Sequence, residues 1–270
     1  MGANFKPMFW SHYVQTELKK DLILANWCDY RFEEDFKLGD RLKIVGAVPP
    51  TIQQYVPGQD LKIESLGDNS QYLDITQADA FAFEVDDIDK AQSVEGYLEA
   101  ELDEAKAKLS SSADSFVGKL AANANKDMMS ASTELGKLTS FLAPINDAHV
   151  KLYRNNVSQK AELAADLSPA HIIGLRTELA GLFTDNVEFV KRGALGKYAN
   201  TYLRMSNNLY NDGVDDYEMV RTKKAIAFAG QIDKLETCRK EKGFGDIIKG
   251  LHVYGAKVVR PKELFVIKAH

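Results

Sequence analysis

The hydrophobic pattern changes period between residues 72 and 120, and this change limits the possible folds more than any other feature of the chain. Tyr72, Leu73 and Ile75, then Phe81, Phe83 and Val85, form a strand-like run. From Ile88 the apolar residues Ala91, Val94, Leu98, Leu102, Ala105, Leu109, Phe116 and Leu120 follow at spacings of mostly three, four or their sums, as one helical stripe requires. Asp86, Asp87 and Asp89 suit the start of that helix, where the peptide dipole favours negative charge. A calcium loop is the poorer reading, because the Gly and terminal Glu of an EF-hand are missing. A helix over residues 87–122 would run roughly 50 Å at ~1.5 Å per residue, longer than a small domain is wide. Ser110, Ser111 and Ser112 mark the point where it is expected to bend or stop.

On either side the signals alternate in blocks. A strand is predicted over 41–48 and is closed by Pro49 and Pro50. Residues 51–69 are turn-rich and polar, with the alternating stretch Leu61, Ile63, Ser65 inside them. Two strands flanking such an excursion read as an extended β-hairpin. Residues 123–131 read as loop, and 133–153 as a helix that Pro144 breaks or kinks. A strand over 161–167 leads to Ser168-Pro169, a cap and first-position pair, and to a helix through Ile172, Leu175, Leu179 and Leu182. Strands are expected at 198–205, 217–228, 232–236, 247–259 and 265–267. Blocks of this kind give an α+β fold.

The first 36 residues are dense in large side chains, among them Phe5, Phe9, Trp10, Tyr13, Trp27 and Phe36. That is too aromatic for a solvated tail, so the segment packs on its own body or on a neighbour. Residues 12–26 are expected to form a short amphipathic helix. With 270 residues, 45% hydrophobic and 27% charged, the chain has material for one large domain or two interleaved ones. A net charge of −5 argues against tight nucleic-acid binding through Lys and Arg. Cys28 and Cys238 form no C-x-x-C pair; both are expected to be buried small hydrophobes in a reducing compartment. Met1 to Trp10 hold Lys6 and Pro7 and no long apolar stretch, so no secretory signal is expected. Lys6 stands where a myristoylation motif wants Ser or Thr. No window approaches the ~20 apolar residues of a membrane span.

Catalytic patterns are missing from the sequence. His12, His149, His171, His252 and His270 show no i, i+4 metal pair, and surface or satisfied structural roles are expected for them. No G-x-S-x-G elbow occurs. Gly193, Gly196 and Lys197 have the wrong spacing for a phosphate loop, and Gly243, Phe244, Gly245 fail the dinucleotide pattern; both read as turns. No cofactor, metal or catalytic residue is assigned, and the chain is not expected to be an enzyme.

Four segments carry a resemblance. They are GLHVYGAKVVRP from Gly250 to Pro261, KAIAFA from Lys224 to Ala229, LSPAH from Leu167 to His171, and FEVDDIDKAQ from Phe83 to Gln92. In their order and spacing the chain resembles the major capsid proteins of tailed bacteriophages, with the Hong Kong 97-type fold. The resemblance implies an N-terminal arm (1–38), an extended loop and its base (39–86), a spine helix and peripheral domain (87–134), an axial domain (135–220), and returning strands of the peripheral domain (221–270). It implies a virion protein, assembled in the host cytoplasm, that forms pentamers and hexamers of an icosahedral shell around packaged double-stranded DNA, without sequence-specific binding and without a membrane. A portal and, since no long internal scaffold domain precedes the arm, a separate scaffolding protein are the implied partners. Trp10, Tyr55, Leu61, Ile63 and Leu66 are the candidate inter-subunit contacts. Lys62 lies on the same loop, but no pattern supports a covalent cross-link there. The alternative reading is an encapsulin-type nanocompartment shell enclosing a cargo enzyme; a compact α+β enzyme using scattered carboxylates is a more distant one.

Overall fold

Two β-sheets meet on one long helix in the computed structural model, which describes residues 22–31, 36–44, 70–86, 97–178, 194–240 and 243–270. In chain order the strands and helices are β1 (Arg41–Ile44), β2 (Gln71–Asp74), β3 (Gln77–Asp86), α1 (Tyr97–Lys119), β4 (Met129–Thr133), α2 (Ala143–Arg154), β5 (Leu163–Leu167) and α3 (Pro169–Glu178). They continue with β6 (Ala194–Tyr198), β7 (Thr201–Met205), β8 (Tyr210–Asn211), β9 (Asp216–Thr222), β10 (Ile226–Arg239), β11 (Gly245–Val258) and β12 (Leu264–Ala269). The fold is α+β, as the blocks of pattern predicted.

The larger sheet has seven strands in the order β4-β12-β9-β5-β7-β6, with β8 on β9. Both its faces are covered, so its central strand β5 is buried at every position. On one face α2 and α3 press Ile145, Leu152, Ile172 and Leu175 against Leu163, Leu203, Val220, Phe265 and Ile267. On the other, Ala113 and Val117 of α1 join Leu22, Leu24, Met219, Leu264 and Val266. The smaller sheet, β10-β11-β3, is built on two antiparallel strands of 14 residues each, roughly 45 Å long at ~3.3 Å per residue. Leu102 at the other end of α1 packs on its Ile232 and Ile248. One helix thus stabilises both sheets.

The expected pairing of the 41–48 strand with the strand around Tyr72 is present as β1 and β2, antiparallel from Arg41 opposite Asp74 to Ile44 opposite Gln71. This pair packs on β10 and β11 through Leu73, Ile75, Ala227 and Val253. At Gly255 a Cβ would lie 2.5 Å from the Asp74 carbonyl oxygen, so only glycine allows β2 this close. Residues 45–69, including the turn-rich excursion, lie outside the described residues, as do 87–96 at the predicted start of the helix.

Several expectations are corrected. The three serines do not end α1, which runs on to Lys119 because Ala113 and Val117 beyond them are packed into the core; Ser110 Oγ donates to the Lys106 carbonyl (2.9 Å), and Ser111 and Ser112 bond Asn208 and Tyr254. The buried stripe of α1 also runs through Ser110, Ala113, Asp114 and Val117, beside Leu102 and Leu109, whereas Phe116 and Leu120 are only partly buried. Within 123–131 a strand begins at Met129, since parallel pairing with β12 overrides its weak propensity. The helix expected over 133–153 starts only at Ala143, with Pro144 in its first turn, where a missing N–H costs nothing. The run 198–205 is a hairpin instead, turned by Ala199 and Asn200 at positive φ, which places Gly196 and Lys197 in a strand and not a turn. The run 217–228 is split between β9 and β10, and 232–236 belongs to β10. Among residues 12–26, those described (22–26) end in a 3-10 turn, Ala25–Trp27, and not an α-helix. Cys28 is buried as expected, but Cys238 is exposed. No described helix is long and apolar enough to cross a membrane.

Candidate assembly site

The side chains singled out as contacts between copies, Trp10, Tyr55, Leu61, Ile63 and Leu66, all lie outside the described residues, and so does Lys62. What the structure describes is the root of the N-terminal segment and the surfaces around it.

That root is residues 22–29. Its side chains Leu22, Leu24, Ala25 and Cys28 enter the core beneath α1. Its backbone is gripped by charged groups. Alternation along β5, β7 and β9 turns Asp166, Arg204 and Arg221 toward the same face of the sheet, and parallel register sets Asp166 directly beside Arg204. Arg204 donates to Asp166 through Nη2 and to the Ile23 carbonyl through Nη1 (2.6 Å). Arg221 donates to Asp166 through Nε (3.2 Å), to the Leu24 carbonyl through Nη2 (2.6 Å), and to the Trp27 carbonyl through Nη1. From the opposite side Asp114 on α1 accepts the N–H groups of Ile23 and Ala25, both at 2.8 Å. Asp29 then hands the chain to β10, donating its N–H to the Ile226 carbonyl (2.8 Å) and accepting from Phe228 (3.2 Å).

These two carboxylates and two guanidinium groups are at most 1% exposed. Charges so deep are tolerable only when paired and hydrogen-bonded. Asp166 pairs with both guanidinium groups and Asp114 takes two backbone N–H groups, while Arg204 Nε is buried without a hydrogen-bond partner among the described residues. Burial pushes the Asp114 carboxyl above its ordinary value against the pull of the Ala25, Ile23 and Leu24 N–H groups, and burial holds Arg204 below its own. Burial also pushes the Cys28 thiol up, which leaves it unreactive. The sequence carried a signal for this cluster that pattern reading missed: charged residues inside the strand runs LAADL, TYLRM and DYEMVRT.

Three buried histidines make contacts within the described fold. His171 lies fully buried between two acceptors, Glu218 Oε2 at 2.6 Å and the Phe141 carbonyl at 2.8 Å, which an imidazolium satisfies together. Burial alone would lower its pKa, but the Glu218 bond and charge and the Phe141 carbonyl raise it. His149 bonds Thr201 at 2.7 Å and is lowered by burial. His252 is pushed down to about 4 by burial. Among the described residues no group of three potential metal ligands occurs.

A cleft of about 830 Å³ opens beside Trp27, between residues 156–162 and the β9–β10 turn at Lys223 and Lys224. Its carboxylates are committed elsewhere. Glu162 accepts from Tyr202 (2.7 Å), and Glu263 accepts from Thr222 and Arg260. At the tip of the β10–β11 hairpin, Phe244 is 77% exposed beside Gly243.

No protein-family model matches the sequence, and no curated protein matches it. Solved structures do. One from Mycobacterium phage Che8 is 25% identical and superposes with a TM-score of 0.67 over 91% of this chain and 90% of that one. The capsid of Ralstonia phage GP4 is 16% identical, with a TM-score of 0.65 over 99% and 92%. A virus-like particle from Pyrococcus furiosus is 13% identical, with a TM-score of 0.56 over 96% and 99%. The chain has the fold of bacteriophage capsid proteins, the family its sequence resembles.

Proposed function

We propose that the chain is a structural major capsid protein, without enzymatic activity, which assembles with copies of itself into pentamers and hexamers that close an icosahedral shell around double-stranded DNA. The observation that carries this reading is the likeness of nearly the whole chain to a phage capsid and to a second phage structure. In this reading α1 is the spine helix, and the long β10-β11-β3 sheet belongs with it in the peripheral domain. The axial domain centres on 135–220, with α2, α3 and the middle of the seven-stranded sheet. Residues 1–38 are the arm, and 39–86 the extended loop and its base, with β1 and β2 as the foot of that loop.

Assembly then rests on many modest contacts. Burial of apolar surface contributes about 25 cal/mol per Å², offset by the cost of association, and each subunit makes several contacts at once. Trp10 on the arm and Tyr55, Leu61, Ile63 and Leu66 on the loop are the proposed contacts, the loop residues lying over a neighbour's spine helix. An acidic chain suits a container, since a strongly basic lining would hold DNA and resist its release. A portal and a separate scaffolding protein are the proposed partners, and the host cytoplasm the place of assembly. Uniform, correctly sized shells from the purified subunit alone would remove the need for a scaffold.

Deleting residues 52–68 tests the loop. The expected product is a folded subunit that closes no shells, and normal particles from the deletion would refute the loop's role. The encapsulin reading is favoured by the likeness to a virus-like particle, which is weaker than the likeness to the phage Che8 and GP4 structures. Particle contents separate the two: packaged DNA supports the capsid, and a cargo enzyme supports the nanocompartment.

A further inference from the structure

We infer that Asp114, Arg204 and Arg221 are positioning residues for assembly: they hold the backbone of residues 22–29 so that the preceding 21 residues leave the subunit at one place and in one direction. This rests on the reading that those residues lie on a neighbouring copy. Three observations carry it.

First, the described polar grip on residues 23–27 is on the backbone. Guanidinium groups take the carbonyls of Ile23, Leu24 and Trp27, and one carboxylate takes the N–H groups of Ile23 and Ala25. Backbone held at consecutive residues from α1, β7 and β9 is fixed in orientation as well as position. Second, anchoring alone needs no charges. Leu22, Leu24, Ala25 and Cys28 are already in the core, and replacing a buried ion cluster with apolar groups is commonly neutral or stabilising. What the cluster adds is a unique geometry. Third, that geometry is amplified outward. Twenty-one residues reach at most roughly 70 Å, so a swing of about 10° at Leu22 moves the far end by up to about 12 Å. Weak contacts on a neighbour do not survive a displacement of that size.

The test uses the full chain with Asp114→Asn, which keeps one acceptor oxygen and loses the second, and with Arg204→Lys, which keeps the charge and loses the fork. Val117→Ala, on the same face of α1, is the control for simple loss of packing. Amide hydrogen exchange, thermal melting and the fraction of closed particles in electron micrographs are measured against the parent under the same conditions. In both charge variants the Ile23 and Ala25 amides are expected to exchange roughly ten- to a hundredfold faster, while β5 and β9 stay protected and the fraction of closed particles falls. The control is expected to melt earlier with that fraction unchanged.

Unchanged exchange at the root would overturn the inference. So would a loosened root with the parent's fraction of closed particles, an equal assembly defect in Val117→Ala, or failure of both charge variants to fold. A parent that closes no shells at all would instead sink the capsid reading, and this inference with it.

Discussion

His252 gives the fold a calculable sensitivity to acid. It sits on β11, 2% exposed, with its ring 4.9 Å from that of Tyr254 and its Nδ1 buried without a hydrogen-bond partner. Burial disfavours the imidazolium and pushes the pKa from 6.5 down to about 4, although the Asp79 charge nearby pulls the other way. The folded state thus holds a neutral ring that the unfolded chain protonates at about pH 6.5. Because the folded value is depressed, its contribution is complete above pH 6.5 and is lost as the pH falls toward 4. At ~1.36 kcal/mol per pKa unit, about 3 kcal/mol disappears between pH 7 and pH 4, roughly half of it by pH 5.5. A loss of that size is a large fraction of an ordinary domain's stability of about 5–15 kcal/mol. His252→Phe keeps a ring against Tyr254 and removes the proton site. Urea midpoints of the unassembled subunit at pH 7, 5.5 and 4.5 are the assay. Carboxylates titrate equally in both proteins and cancel, so the parent should lose about 2–3 kcal/mol more than the variant across this range. Parallel curves would refute the reasoning.

Other consequences point in different directions. The His171 pKa is raised by its two acceptors, so its contribution is present below pH 6.5 and lost as the pH rises through the raised value; its ring resonances should titrate above 6.5, and titration below that would break the pairing with Glu218. Gly118→Ala, which would gain about 1 kcal/mol in an isolated helix, should instead cost about 1–3 kcal/mol, because the new Cβ lies 2.5 Å from the Asn208 carbonyl oxygen. A stabilised Gly118→Ala in urea denaturation would contradict the close seating of α1 on residues 208–210. Phe244→Ser should change subunit stability by less than about 0.5 kcal/mol while lowering the yield of closed particles. An unchanged yield would show that the hairpin tip meets no neighbour.

Much of the architecture was legible because local chemistry and tertiary packing agree. Ser168 and Pro169 announce α3, and the Ser168 hydroxyl does accept the His171 N–H at 3.3 Å. The apolar runs of β5 and β12 fix their places, and the Gly243 turn joins β10 to β11. Other features depend on partners distant in sequence. A lone Asp166 or Arg221 in a strand reads as a solvated position until the neighbouring strands bring the pair together. Ala199 has no side-chain signal for the positive φ it adopts, so Tyr198 and β7 read as one strand and the rest of β6 as a turn. Met129 to Thr133 form a strand only because β12 offers an edge. The site was read less well than the fold. The proposed contacts lie outside the described residues, and the described segment 22–29 is held by charges that periodicity does not register.

Electron microscopy of the expressed, purified protein, with light scattering on the same sample, decides whether copies of the chain build a shell. Closed shells of fivefold and sixfold clusters, of one size or several, are expected. Solitary subunits that stay single as the concentration is raised, with residues 1–38 and 45–69 protected from protease on their own body, would contradict that expectation.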